Sequence, residues 1–223
     1  MEDGVLRVMT FRFVVVGPLF LLLNLCCLQV VSYGQSAKDG SLLQRTVSVG
    51  MTDVYAAQVL EFLANEYRIP AGIEIVSSNR TKFAEKRITI NVLQSPLETV
   101  LNTIIQADPR YRWEVSDGVI NLLPKNKDDS LVDVEVTSFQ IDNLSRLETK
   151  RAIADLPEVV SEMKSLGLEP APISLWPYRD KRDPLRLSLN LRNTTLRKIL
   201  NEVAKRTKFW SVSSFGEFFL IQI

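Results

Sequence analysis

Histidine is absent from this chain of 223 residues, and its two cysteines, Cys26 and Cys27, are neighbours in an early apolar stretch. Without histidine the chain has no imidazole general base, so Ser-His-Asp and Cys-His nucleophile pairs are excluded. Two adjacent cysteines also exclude a Cys/His zinc site and a framework of disulfide bonds within a domain. Of the common catalytic side chains, only carboxylates and lysines remain. Because so many classes of catalytic site are excluded, we expect a protein that is not an enzyme.

Glycine and net charge are also low. The nine glycines are scattered, and neither a G-x-G-x-x-G motif nor a P-loop can be written with them. We therefore expect no cofactor and no metal. The 27 basic residues nearly balance the 26 acidic ones, which leaves a charge of +1 and no field to attract nucleic acid. A hydrophobic content of 46% predicts a globular core rather than disorder.

The N-terminus carries the one long apolar run, residues 13–31, which Arg7 and Arg12 precede and Gly34 follows. This order predicts that residues 1–34 are a secretory signal cut after Gly34, and Met9 is a more usual start for such a signal than Met1. The alternative is an uncleaved anchor in the inner membrane, because residues 13–31 come near the roughly 20 that span a bilayer. Either route predicts a periplasmic or otherwise exported protein.

Two segments that begin 99 residues apart, at Arg87 and Arg186, carry the same pattern. Each opens with period-2 alternation, which predicts a strand, and then changes to helical spacing. The alternating residues are Ile88, Ile90 and Val92, matched by Leu187, Leu189 and Leu191. The helical stripes are Leu97, Val100, Leu101, Ile104 and Ile105, matched by Leu196, Ile199, Leu200, Val203 and Ala204.

An aromatic-rich strand and a turn follow each of these helices. Asp117-Gly118 between two apolar runs predicts a hairpin in the first segment. Trp113 and Trp210 occupy the repeated strand, so we expect both in the core. Ser95 is the predicted N-cap of the first helix, with Pro96 at its first position, and Asn193 or Thr194 is expected to cap the second.

A half-unit precedes each segment. Before the first, residues 46–50 read as a strand, a helical stripe follows, and residues 72–76 read as another strand. The second half-unit is less regular: Val132, Val134 and Val136 alternate, two helical stretches follow at residues 144–153 and 158–166, and a strand is expected at residues 173–176. The polar residues 125–130 separate the two modules.

We therefore expect an α+β fold of two tandem βαββαββ-type modules, residues 45–124 and residues 131–223, the second with a divergent first half. In each module the helices are expected to pack on one face of a mixed or antiparallel sheet.

This pattern resembles the short N-terminal domain of secretins and TonB-dependent transporters. It is also similar to the related N-domains of secretins and to the C-terminal module of membrane-bound anti-sigma regulators. The resemblance covers residues 46–124 well, residues 185–223 moderately and residues 131–184 weakly. The residues that carry it are Ile88, Ile90, Val92, Ser95, Pro96, Leu97, Glu98, Val100, Leu101, Tyr111, Gly118, Val119 and Ile120. It implies a periplasmic binding module that contacts partner proteins and has no catalytic activity.

Residues 179–208 are the most basic part of the chain, with ten Lys or Arg residues against three acidic ones. This charge would suit an anionic surface, although a solvated helix face and strand edge explain it as well. The neighbouring Trp176-Pro177-Tyr178 lies in an irregular, proline-flanked loop. The predicted partner-binding residues are Trp176, Tyr178, Arg179, Lys181, Arg182 and Arg186.

Three functions remain open from the sequence. The first is protein–protein interaction in the cell envelope, with a transporter, a secretin or a regulator as partner, and with membrane association through the N-terminal apolar segment. The second is an envelope glycan-binding protein or a carboxylate-dependent hydrolase, for which Asp128-Asp129 and Asp180-Asp183 are the available carboxylate pairs. The third is a structural assembly module that associates with itself.

Overall fold

The computed structural model describes residues 40–75, 86–126, 130–170, 184–215 and 218–223, which belong to one compact unit, Asp39–Ile223. A helical turn at residues 40–43 comes first. The elements of the first half are β1 (Thr46–Val54), α1 (Ala56–Tyr67), β2 (Ala71–Glu74), β3 (Ile88–Pro96), α2 (Leu97–Ala107), β4 (Tyr111–Ser116) and β5 (Val119–Pro124). Those of the second half are β6 (Glu135–Leu144), α3 (Arg146–Ala154), α4 (Pro157–Ser165), β7 (Glu169–Pro170), β8 (Leu187–Thr195), α5 (Leu196–Thr207), β9 (Phe209–Phe215) and β10 (Phe218–Gln222).

The strands form a mixed sheet and two antiparallel pairs, so the fold is α+β as predicted. The six-stranded sheet has the order β4-β5-β2-β9-β10-β7, and β1 pairs with β3 while β6 pairs with β8. Strands from both predicted modules share the large sheet, because β2 lies parallel to β9. The predicted boundaries at residues 45–124 and 131–223 stay a prediction.

Two hydrophobic cores lie on opposite sides of β5, because adjacent residues of a strand point to opposite faces. Ile120 and Leu122 join the core that contains α1 and α2. Val119 and Leu123 join the core that contains α3, α4 and α5. All six residues of β5 are buried, as is typical of a strand covered on both faces. Each half thus contributes helices to a different face of the shared sheet.

The turn between β4 and β5 confirms the predicted hairpin. Asp117 has a φ of 55° and Gly118 a φ of 76°, so both central residues are left-handed, as a type I′ turn requires. The register runs without a shift from Tyr111 opposite Pro124 to Ser116 opposite Val119.

The predicted helix caps are wrong by one or two residues. Strand β3 continues to Pro96, and the hydroxyl of Ser95 donates to the carbonyl of Leu93 at 2.9 Å instead of capping α2. In the second segment the cap is Thr195, whose hydroxyl oxygen accepts a hydrogen bond from the N–H of Lys198 at 3.2 Å. Both errors arise because the strand runs directly into the helix, so the cap lies one or two residues later than predicted.

The second half-unit also differs from its prediction. Strand β6 begins at Glu135, so Val132 and Val134 precede it. Their carbonyls accept hydrogen bonds from Arg197 N–H and Leu196 N–H, at 2.8 and 2.9 Å. These bonds satisfy donors of the first turn of α5, which have no partner within the helix. The strand predicted at residues 173–176 lies outside the described residues.

Candidate interaction surface

The two halves meet where β2 pairs with β9, in the middle of the large sheet. Ala71 N–H donates to the carbonyl of Lys208 at 3.0 Å, and Ile75 N–H donates to that of Val212 at 2.8 Å. Strand β2 of the first half is therefore paired with β9, the outer strand of the group β9-β10-β7 of the second half. This arrangement shows that the outer side of a strand such as β9 can accept a parallel strand.

Gly72 and Trp210 make the closest contact of this joint. They face each other in the register of β2 and β9, and a Cβ atom on Gly72 would lie 1.9 Å from Cε2 of Trp210. No side chain fits at that distance, so glycine is required for the indole to lie there. Trp210 is completely buried, and its Nε1 donates to Oδ1 of Asn201 on α5 at 2.9 Å.

Trp113 on β4 makes a similar hydrogen bond without a covering strand, although it lies eleven residues after its asparagine and Trp210 lies nine after its own. Its Nε1 donates to Oδ1 of Asn102 on α2 at 3.0 Å, just as Trp210 donates to Asn201. Trp113 is half-buried, because β4 is the terminal strand of the large sheet in the described part of the chain. Core packing is thus confirmed for Trp210, while Trp113 lies at the edge.

Glu74, at the end of β2, is a buried carboxylate within the joint. It accepts hydrogen bonds from the hydroxyl of Ser130, at 2.9 Å, and from the N–H of Leu131. Burial raises the pKa of Glu74 from 4.5 to about 7, the nearby Asp133 acts in the same direction, and the two hydrogen bonds and Arg197 oppose it. The Glu74 carboxyl group therefore changes charge near neutral pH, in contact with the first residues of the second half.

Arg197 on α5 links the second half to β4 of the first half. Its guanidinium lies 2.6 Å from Glu114 on β4 and 2.7 Å from Asp133. Lys198 lies 3.3 Å from Asp117 in the β4–β5 turn. Part of the basic run that the sequence offers to an anionic partner is therefore used inside the protein, as pairs that join α5 to the first half.

A cleft of about 770 Å³ lies beside α4 and the start of β6. Four carboxylates line it, from Asp133, Glu135, Glu158 and Glu162. The pKa of Glu158 is held below its ordinary value because the backbone N–H of Thr137 donates to it at 3.0 Å. In the described segments no group of three Cys, Asp or Glu side chains is placed to hold a metal ion. The cleft is thus an acidic surface beside the joint.

Five of the six predicted partner-binding residues lie outside the described residues: Trp176, Tyr178, Arg179, Lys181 and Arg182. Arg186 is exposed, directly before β8. The carboxylate pairs Asp128-Asp129 and Asp180-Asp183 and the apolar residues 13–31 also fall outside the described ranges. Among the helices of those ranges, none is long and apolar enough to cross a membrane.

Three features of the surface were not predicted from the sequence. They are the close packing of Trp210 against Gly72, the burial of the Glu74 carboxylate, and the two Asn–Trp hydrogen bonds. The repeat contains a sign of the last, because Asn102 and Asn201 occupy the same position in the matched helical stripes. Comparison with protein-family models gives no match to this chain, and comparison with curated proteins gives none either.

Proposed function

We propose that this chain is a non-catalytic protein–protein interaction protein of the bacterial cell envelope. Its two halves would be tandem modules that resemble the short N-terminal domain of secretins and TonB-dependent transporters. Its partner would be an envelope transporter, secretin or regulator. The N-terminal apolar segment would direct export of the chain or hold it at the inner membrane.

The order of the strands in each half supports the tandem arrangement. The first half contributes β4-β5-β2 to the large sheet and pairs β1 with β3, while the second contributes β9-β10-β7 and pairs β6 with β8. In the first half α2 lies between β3 and β4, and in the second half α5 lies between β8 and β9. In each case the strand before the helix belongs to a two-stranded pair and the strand after it opens a hairpin. A shared order of this kind is what two copies of one supersecondary unit produce.

The joint between β2 and β9 is the observation that carries the interaction function. A strand edge that takes up an extended segment through backbone hydrogen bonds, with one side-chain contact for selectivity, is a recurrent way of recognising a partner. The chain uses this mode once internally, with Gly72 against Trp210. Two charged regions lie elsewhere in the described part of the chain: an acidic cleft lies beside α4, and basic side chains are exposed at Arg186, Arg192 and Arg206.

Affinity capture from envelope extract tests the proposal, with the tagged full chain as bait. The variant Trp176→Ala/Tyr178→Ala removes two predicted contact residues, and Leu93→Ala is the matched control because Leu93 is an exposed apolar residue far along the sequence. We expect one envelope protein to be captured by the wild type and by the control, and lost with the double variant. Capture of no such protein, or equal capture by all three baits, would contradict the proposal.

A further inference from the structure

The second half begins with residues 130–134, the connecting segment, which precedes β6 and is held from two sides. On one side, Glu74 of β2 accepts hydrogen bonds from the first two residues of the segment. On the other side, the first turn of α5 donates to the carbonyls of Val132 and Val134 at 2.8 and 2.9 Å. Glu74 therefore supplies contacts of the connecting segment with the first half.

The connecting segment also forms one wall of the acidic cleft. Ser130, Asp133 and Val134 line the cleft on this side, and residues of α4, among them Glu158, line it on the other. A displacement of the connecting segment from β2 and α5 would therefore open the cleft on one side. The shape of the cleft depends on the hydrogen bonds that hold the segment.

The position of Glu74 is unfavourable for a negative charge. Glu74 is 1% exposed, and β5 and β9, the strands that flank β2, contain no charged residue. From the connecting segment Asp133 acts on Glu74, and from α5 Arg197 does. Arg197 already lies 2.6 Å from Glu114 and 2.7 Å from Asp133. Because Arg197 is shared with two other carboxylates, it compensates a charge on Glu74 only in part.

The neutral and the ionised forms of Glu74 differ in how well they suit this site. As a carboxylic acid, one oxygen accepts from Leu131 N–H and the other can donate to the hydroxyl oxygen of Ser130. The ionised group keeps two hydrogen bonds but loses its hydration. Burial is the larger effect, because it raises the pKa of Glu74 to about 7 against both hydrogen bonds. Water that reached the carboxylate would remove this cost.

We propose that Glu74 makes the connecting segment proton-sensitive. The segment closes on the neutral carboxyl group, and ionisation of Glu74 favours an open form in which residues 130–134 leave β2 and α5. In the open form the acidic cleft loses one wall. This device is local to the joint and does not depend on the proposed envelope partner.

The direction of the pH dependence follows from proton binding. In the open form the carboxyl group of Glu74 lies in water, where its pKa returns to the ordinary value of 4.5, and in the closed form it is about 7. The open form therefore binds fewer protons than the closed form between these two values. Its fraction rises as the pH increases from about 4.5 to about 7, and is constant above that range.

Hydrogen exchange of the full chain, measured at single amides from about pH 5 to about pH 8, tests this opening. The reporters are Leu131 N–H, which donates to Glu74, and the N–H groups of Leu196 and Arg197, which donate to carbonyls of the connecting segment. Each exchange rate is compared with that of the unstructured amide at the same pH, which gives a protection factor. We expect the three protection factors to fall together by more than about tenfold over this range. In Glu74→Gln they should be independent of pH.

Thr137 N–H is a matched control on the same cleft, because it also donates to a carboxylate. Its acceptor is Glu158, at 3.0 Å, and this hydrogen bond holds the pKa of Glu158 below its ordinary value. Glu158 is therefore ionised over the whole range, and the protection factor of Thr137 should be constant.

Urea at about 1 M separates local opening from global unfolding, because local opening exposes little surface. The three reporter amides should exchange equally fast with and without urea, whereas the amide of Val203, buried in α5, should exchange faster with urea.

Four results would overturn the proposal. They are protection factors that do not change with pH, a fall that Glu74→Gln retains, a fall at Leu131 alone, and reporters that exchange only with Val203 in global unfolding. The wild-type pH series requires no variant, so it decides the question even if Glu74→Gln does not fold. Affinity capture through Trp176 and Tyr178 tests the proposed function separately.

Discussion

Replacing Glu74 by glutamine removes a group of the joint whose charge changes near neutral pH. Glu74 is 1% exposed and accepts hydrogen bonds from Ser130 and Leu131. Glutamine has the shape of the neutral carboxylic acid: its carbonyl oxygen accepts from Leu131 N–H, and its amide N–H donates to the hydroxyl oxygen of Ser130. The variant Glu74→Gln therefore represents the protonated form at every pH.

The size of the stability change follows from the difference between the pKa of Glu74 in the unfolded chain and its pKa in the folded protein. The pKa of Glu74 is 4.5 ordinarily and about 7 in the folded protein. A group whose pKa is raised by folding stabilises the fold fully below its unfolded pKa, and this contribution is lost as the pH rises through the folded value. At about 1.4 kcal/mol for each tenfold change in proton affinity, the wild type loses about 3 kcal/mol between about pH 4.5 and about pH 8.

Urea denaturation followed by tryptophan fluorescence, from about pH 5 to about pH 9, measures this loss. Because other groups titrate equally in both proteins, the difference in unfolding free energy between wild type and Glu74→Gln isolates Glu74. We expect the two proteins to be similar at the acidic end. Glu74→Gln should be more stable by about 2 to 3 kcal/mol at the alkaline end.

A matched control comes from Glu148, a carboxylate on α3. Hydrogen bonds from Ser145 hold the pKa of Glu148 below its ordinary value, so both its folded and unfolded values lie below the range tested. The difference between wild type and Glu148→Gln should therefore be constant from about pH 6 to about pH 9. If the difference for Glu74→Gln is equally constant, the reasoning about the buried carboxylate is refuted.

Two further variants test the joint. Gly72→Ala places a Cβ atom 1.9 Å from the indole of Trp210, so the overpacked joint should lower the unfolding free energy by about 1 to 3 kcal/mol in urea denaturation. Gly50→Ala, where nothing lies within 4 Å, should change it by less than about 1 kcal/mol, and equal losses would contradict this account. Arg197→Ala removes two ion pairs whose partners are about one-third exposed, so we expect a loss of no more than about 1 kcal/mol that shrinks at high salt. Arg206→Ala, at an exposed position of the same helix, should show no salt-dependent loss; a salt-independent loss for Arg197→Ala would argue against an electrostatic link.

Local patterns predicted the elements that depend on local residues. The alternation of Ile88, Ile90 and Val92 placed all three on the buried face of β3, and the spacing of the second matched stripe placed every one of its residues in a core. The Asp-Gly turn was equally readable, because left-handed backbone at two successive positions restricts the residue types. The helix caps were misplaced because β3 and β8 run directly into their helices, and strand length is set by pairing with β1 and β6.

Trp113 and Trp210 show the limit of such patterns. Each follows a helix with an asparagine at the matched position, and each donates a hydrogen bond to it. Their burial differs because β2 lies beside β9 and, in the described residues, no strand lies beside β4. The two tryptophans stand two positions apart in the matched strands, because Trp210 lies nine residues after its asparagine and Trp113 eleven. Which strand covers each of them was decided by a neighbour distant in the chain.

The sequence by itself determined the absence of histidine and Cys/His chemistry, the strands and helices of the matched segments, and the hairpin turn. These follow from residue types and spacings, which act over a few neighbouring positions. Only the tertiary structure decided that β2 joins β9, that Gly72 must be a glycine, and that Glu74 is buried. These three facts depend on which distant strands lie side by side and in which register, and residue spacing over a few neighbouring positions does not specify that.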